Sequence, residues 1–149
     1  MVVMTENLLM KAKLMVAVAI FSIAVTFIAA CRRANSSGEN VIKSTKSGEL
    51  TITISNATGE LKKGENDLMI TFTDASGRPV DVGAASLNIH MAAMGTMAEM
   101  NDKAKLTTTD TPGKYRAQVN IEMAGTWEAQ VKYQGAYGSG QVSMSVQAK

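Results

Sequence analysis

The chain has 149 residues, of which 46% are hydrophobic and 19% charged; 15 Lys and Arg stand against 13 Asp and Glu, for a formal net charge of +2. A balance this close to neutral, with basic residues scattered rather than clustered, leaves no electrostatic footprint for nucleic acid or for a strongly acidic partner. A single cysteine excludes an intrachain disulfide and a multi-cysteine zinc cluster.

Residues 1–30 read as a leader. Lys11 and Lys13 precede an uncharged run from Leu14 to Ala30, apolar except for Ser22 and Thr26 and ending Ile28-Ala29-Ala30-Cys31. A positive stretch, an apolar stretch and small residues before a cut make a signal peptide. A membrane anchor competes with that reading, because a predominantly apolar run of seventeen residues sits at the low end of the roughly 17–25 needed to span a bilayer. Cys31 decides between them, since Ile28-Ala29-Ala30-Cys31 resembles the lipobox of bacterial lipoproteins. That resemblance implies diacylglyceryl transfer to the Cys31 thiol and cleavage before it. Two or more acyl chains hold a protein stably at a membrane where one alone is marginal. The mature protein is therefore expected in the cell envelope, lipid-anchored outside the cytoplasmic membrane or on the periplasmic side of an outer membrane. Arg32, rather than an acidic residue, follows the cysteine and allows the second location.

Residues 31–49 comprise the lipidated cysteine and a stretch rich in Ser, Asn, Gly and Lys. This composition predicts a flexible linker with an r.m.s. span of roughly 25 Å. Residues 50–149 are then one domain of ordinary size, and their pattern is period two almost throughout. Leu50, Ile52 and Ile54 alternate with polar residues, as do Leu68, Ile70 and Phe72, then Leu87, Ile89 and Met91. The pattern continues through Ala104, Leu106 and Thr108, then Tyr115, Ala117, Val119 and Ile121, then Trp127, Ala129, Val131 and Tyr133, and finally Val142, Met144 and Val146. Asp74-Ala75-Ser76-Gly77 reads as a turn, and Thr111-Pro112-Gly113-Lys114 has Pro and Gly where a type II turn requires them. Ala124-Gly125 and the Gly135 to Gly140 run are expected to close the last two hairpins. Seven short antiparallel strands predict an all-β, immunoglobulin-like two-sheet sandwich, with Trp127 as its core anchor between Tyr115 and Phe72.

Between the third and fourth predicted strands, Ala92 to Asp102 shows no period-two pattern, and loops of this length are more often functional than not. The segment His90-Met91-Ala92-Ala93-Met94-Gly95-Thr96-Met97-Ala98-Glu99-Met100 holds the only histidine and four methionines spaced three apart. Thioether sulfur and imidazole nitrogen suit a soft monovalent cation, Cu(I) or Ag(I), because polarisable ligands bind polarisable metals. His90, Met94, Met97 and Met100 are the candidate ligands, with Met91 beside them. Met91 shares the inward parity of Leu87 and Ile89, so the pattern also places it in the core. Met69, Met123 and Met144 read as packing residues, Met123 being the best accessory ligand among them. Methionine also fills irregular core gaps and adapts to varied partners, so a docking loop for a membrane protein is the competing reading of the whole stretch.

Catalysis finds no support: one imidazole, no Gly-x-Ser-x-Gly elbow, and Glu99 with Asp102 as the only carboxylate pair near the loop. A blue-copper centre needs two histidines and a cysteine. No enzymatic activity is expected.

Gly64-Glu65 before Leu68-Met69-Ile70-Thr71-Phe72, Asp81-Val82, the His90 to Met100 stretch, Thr111-Pro112-Gly113-Lys114-Tyr115 and Gly125-Thr126-Trp127-Glu128 together make residues 50–149 similar to the YtkA-like or FixH-like domain. The resemblance implies a small envelope-facing β-sandwich, carried alone on lipoproteins or fused to adaptor subunits of heavy-metal efflux systems. It further implies a membrane protein of metal efflux or oxidase assembly as partner. The family's histidine and methionine motif maps onto His90, Met91, Met94 and Met97, with Ala92 standing where a proline is common.

Overall fold

The computed structural model describes residues 38–149. The expected leader, and with it Cys31, lies outside the described residues. Nine strands form: β1 (Asn40–Ser47), β2 (Leu50–Asn56), β3 (Gly64–Thr73), β4 (Ala84–Met91), β5 (Met100–Lys103), β6 (Lys105–Thr108), β7 (Lys114–Ile121), β8 (Gly125–Gly135) and β9 (Gly138–Ala148). They pair antiparallel in two sheets, ordered β1-β2-β3-β7-β6 and β5-β4-β8-β9. The architecture is the expected immunoglobulin-like sandwich, and the inward residues of both sheets bury one continuous core running from Leu50 to Ala148. Each Leu, Ile, Val or Phe fully buried there stabilises the fold by about 1.5–3 kcal/mol.

Two strands exceed the expected seven. β1 occupies part of the predicted linker and pairs with β2 from Asn40↔Asn56 to Ser47↔Leu50. It lies at a sheet edge, with Val41 exposed and a bulge between Val41 and Lys43. Only Ile42 of its aliphatic side chains packs against the core, and only in part, so its sequence has no apolar alternation to display. The sandwich therefore begins about Asn40, within the expected linker of residues 31–49. β5 is the second addition. Residues 100–108 form one extended run that changes sheets at Ala104: Met100–Lys103 pairs with β4, and Lys105–Thr108 pairs with β7 of the facing sheet. The backbone N–H of Ala104, at the crossing, donates to the carbonyl of Leu87 (2.9 Å).

The Ala124-Gly125 corner is likewise corrected. It joins β7 in one sheet to β8 in the other and so crosses the core instead of closing a hairpin. Gly135–Gly138 does close the β8–β9 hairpin, with register Gly135↔Gly138. The aromatic core also differs from expectation. Phe72 packs edge-on against Tyr115 (5.7 Å between centroids, 88°) and Tyr133 (5.6 Å, 65°). Trp127 lies toward the opposite end of β8 from Tyr133, and its indole N–H donates to the Met123 carbonyl (3.0 Å). Two aromatic groups thus anchor the two ends of the sandwich.

The type II turn forms as expected: the Lys114 N–H donates to the Thr111 carbonyl (3.1 Å), and Gly113 takes φ +78°. A Cβ at Gly113 would collide with the Val80 backbone. Gly113→Ala is therefore expected to lower stability by on the order of 3 kcal/mol, combining backbone strain with overpacking. The check is a lower urea midpoint at unchanged slope.

The Asp74 turn gives a second test. The Ser76 hydroxyl, then the Arg78 backbone N–H, hold the Asp74 carboxyl down from 3.8 to about 2. A carboxyl depressed by folding stabilises the fold fully above its unfolded pKa, and that contribution is lost as pH falls through the folded value. Asp74→Asn should lower the melting temperature at pH 7, and the gap from the parent should close between pH 4 and 2.

Candidate metal site

β4 sets the geometry. Leu87, Ile89 and Met91 point into the core, Met91 being 3% exposed, so Asn88 and His90 face outward because successive strand side chains alternate sides. Met100 is the cross-strand partner of Met91, shares its inward face and packs against the core. The candidate ligands are thus divided by a sheet: Met91 and Met100 lie on the inner side and His90 on the outer.

Beyond β4 the loop has structure of its own. Met94 and Met97 are directly opposed, the N–H of each donating to the carbonyl of the other (3.1 and 2.9 Å). Gly95-Thr96 forms the turn, with Gly95 at φ +58°, which a tight two-residue hairpin needs at its first central position. Side chains of an opposed pair project to the same face with Cβ atoms about 4.5–5.5 Å apart. Both are exposed, Met94 by 54% and Met97 by 40%. Two sulfurs sharing an ion at about 2.3 Å each lie within about 4.6 Å of one another, so thioethers rooted at this spacing can close on one ion by rotamer changes alone.

His90 is held by a polar network on the outer face. Its Nδ1 lies 3.0 Å from Asn101 Oδ1, which also accepts from Asn88 Nδ2 (3.1 Å). An amide oxygen only accepts, so Nδ1 carries the proton and the Nε2 lone pair is left for a metal. Asn88 Oδ1 is buried without a donor among the described residues; as a hard oxygen it adds nothing to a soft-ion site. His90 faces Glu128 across the β4–β8 ladder. The two border an open depression with Ala92, Thr126, Ser143 and Ser145. Hydrogen bonding from the Ser143 hydroxyl and, less strongly, from the Gln130 amide, with a smaller electrostatic contribution from His90, holds the Glu128 carboxyl below its ordinary value. Glu128 is therefore an anion beside the imidazole at neutral pH.

The remaining candidates have structural places. Met144 is in the core, Met123 packs at the β7–β8 corner, and Asp102 accepts from the Asn120 backbone N–H, tying β5 to β7. Glu99 is exposed and apart from that contact. Among the described residues no three His, Cys, Asp or Glu side chains converge. The donors that fit a soft cation are Met94, Met97 and His90 Nε2. Asn101 and Glu128 were not evident as parts of the site from sequence, because their roles depend on register across β4.

A family model described as YtkA-like matches residues 44–132, from the middle of β1 through most of β8 and including the whole methionine hairpin. Among solved structures, the chain is similar to a DUF4426 family protein from Pseudomonas aeruginosa, at 16% identity over 76% of this chain and 96% of that one, with a TM-score of 0.49. No curated protein matches in sequence.

Burial separates the methionines energetically. Met91→Ala should cost about 2–5 kcal/mol as a large-to-small core change, whereas Met94→Ala should stay within about 0.5 kcal/mol; chemical denaturation of the two variants checks this. Nitrogen NMR should find His90 protonated at Nδ1 in the parent and shifted toward the Nε2 tautomer in Asn101→Ala.

Proposed function

The chain belongs to the YtkA-like family, and on that premise we propose that it is a lipid-anchored envelope protein that binds Cu(I) or Ag(I) through Met94, Met97 and His90. The observation that carries this reading is the hydrogen-bonded pairing of two exposed methionines at a hairpin tip, four residues beyond a histidine with a free Nε2. Exposed methionine costs water contact without a packing return, and here two are held side by side by backbone bonds. A soft cation draws the sulfurs together, and the hairpin closes over the outer face of β4 to present the ion to His90. Glu128 offsets the positive charge from the far side of the imidazole. Met91 and Met100, on the inner side of the sheet, serve as packing residues and not as ligands. The protein acts as a carrier or buffer with no chemical step of its own.

The second reading, a docking loop for a membrane-protein partner, draws on the same exposed thioethers. The two part at His90. An anaerobic Cu(I) titration of residues 38–149 against a competing chromophoric chelator should give one equivalent bound. Met94→Ser with Met97→Ser should abolish it, His90→Ala should weaken it, and Asn101→Ala should weaken it by about 10–100-fold, the usual cost of losing a group that orients a ligand. Equally negligible binding by parent and variants would overturn the metal reading and leave the hairpin as a docking surface.

A further inference from the structure

One outward side chain from each strand of the β5-β4-β8-β9 sheet falls into a single row across its outer face. Asn101 opposes His90, His90 opposes Glu128, and Glu128 opposes Ser145. Opposed side chains project to the same face with Cβ atoms about 4.5–5.5 Å apart. His90 spends Nδ1 on the β5 side, where it meets Asn101 Oδ1 (3.0 Å). Nε2 sits on the other flank of the ring, away from β5, and the next side chain in the row is Glu128. Imidazole and carboxylate border the same open depression, with Ser143 and Ser145 beside them.

The row thus sets a neutral nitrogen donor next to an anionic oxygen donor. Two donors each about 2.0–2.2 Å from one ion lie within about 4.4 Å of each other, and side chains rooted on directly opposed residues reach that separation by changing rotamer. Nitrogen and carboxylate oxygen form a harder set than the thioethers of the hairpin. They suit a divalent cation of borderline character, and the affinity of such sites peaks at Cu(II). Asn88 points the same way independently. It lies two residues before His90 on the same face of β4, and its Oδ1 is buried without a donor among the described residues. A buried acceptor without a partner is rare and calls for a water or an ion. An ion held by sulfur brings no O–H group, whereas a divalent ion held by two side chains keeps water in its remaining positions and so carries a donor to this face.

We propose that His90 Nε2 and the Glu128 carboxylate form a second site, on the outer face of the sheet, for a divalent borderline cation of which Cu(II) is the best occupant. The site shares the imidazole with the hairpin but uses none of its sulfur. It therefore stands whether or not Met94 and Met97 take a soft ion.

The test uses residues 38–149, a compact unit whose core lies wholly within it, without a tag and acetylated at the N-terminus so that no α-amino group binds copper. This unit has no cysteine to reduce Cu(II), and its one histidine makes an imidazole signal diagnostic of position 90. Titration in air with Cu(II), buffered by glycine as a weak competitor, should load one equivalent, and electron spin-echo modulation should show one coordinated imidazole. Met94→Ser with Met97→Ser should leave Cu(II) binding unchanged, and His90→Ala should abolish it. Glu128→Gln should weaken it by about tenfold or more, the scale on which even a group that only orients a ligand counts. No imidazole signal, or equal Cu(II) affinity in the parent and Glu128→Gln, would overturn the site. Loss of Cu(II) with the two methionines would return the ion to the hairpin and overturn it as well. The anaerobic Cu(I) titration reads the methionine variant in the opposite sense, so the two readings fail separately.

Discussion

Adjacent residues of a strand face opposite sides of its sheet, and in β4 that constraint separates His90 from Met91. The inward set Leu87, Ile89 and Met91 is fixed by burial against the facing sheet, and slipping the strand by one residue would expose all three. His90 is therefore outward by the same force that holds the core together. β5 obeys the rule in mirror image, with Met100 inward beside Met91 and Asn101 outward beside His90. A polar outward face and an apolar inward face are thus written into alternate residues of one segment. The polar network of Asn88, Asn101 and Gln130 then orients an imidazole that the core has already placed.

The end of the sandwich that carries the hairpin collects features that the core does not use. The chain crosses between sheets there through the Ala124-Gly125 corner, and the carboxyl-terminal end of β9 is tied in by Lys63 N–H to Lys149 carbonyl (2.8 Å) and Lys149 N–H to Leu61 carbonyl (3.0 Å). These contacts fix the platform from which the hairpin projects. Rigid scaffold beneath and a short projecting loop above is the usual division between stability and binding in β-sandwich proteins.

The period-two pattern made the sandwich legible because most strands have one wet and one dry face. It was silent on β1, an edge strand with Ile42 as its one aliphatic residue against the core, and on β5, four residues with one apolar side chain. The position of Trp127 along β8 was readable, but its neighbours were not, since packing across two sheets depends on registers that no local pattern encodes. For the site, the sequence singled out His90, Met94 and Met97 by composition and spacing, and parity already set Met91 apart. It did not set Met100 apart, because that needs the Met91↔Met100 pairing, and it did not find Asn101 or Glu128, which become neighbours of His90 only once β4 has strands on both sides. The hairpin's internal pairing was hidden for a related reason: Met94 and Met97 flank Gly95-Thr96, a weaker turn signal than Asn-Gly or Asp-Gly.

The exposure that makes Met94 and Met97 available to an ion also opens them to oxidants. Peroxide converts a thioether to a sulfoxide, whose oxygen is a polar, hard donor in place of a soft one. Oxidation at the hairpin would therefore remove its preference for soft cations while leaving the fold intact, since Met91 and Met144 keep their sulfurs within the core. The two classes of methionine in this chain differ in chemical lifetime as well as in place, and the exposed pair is the perishable one.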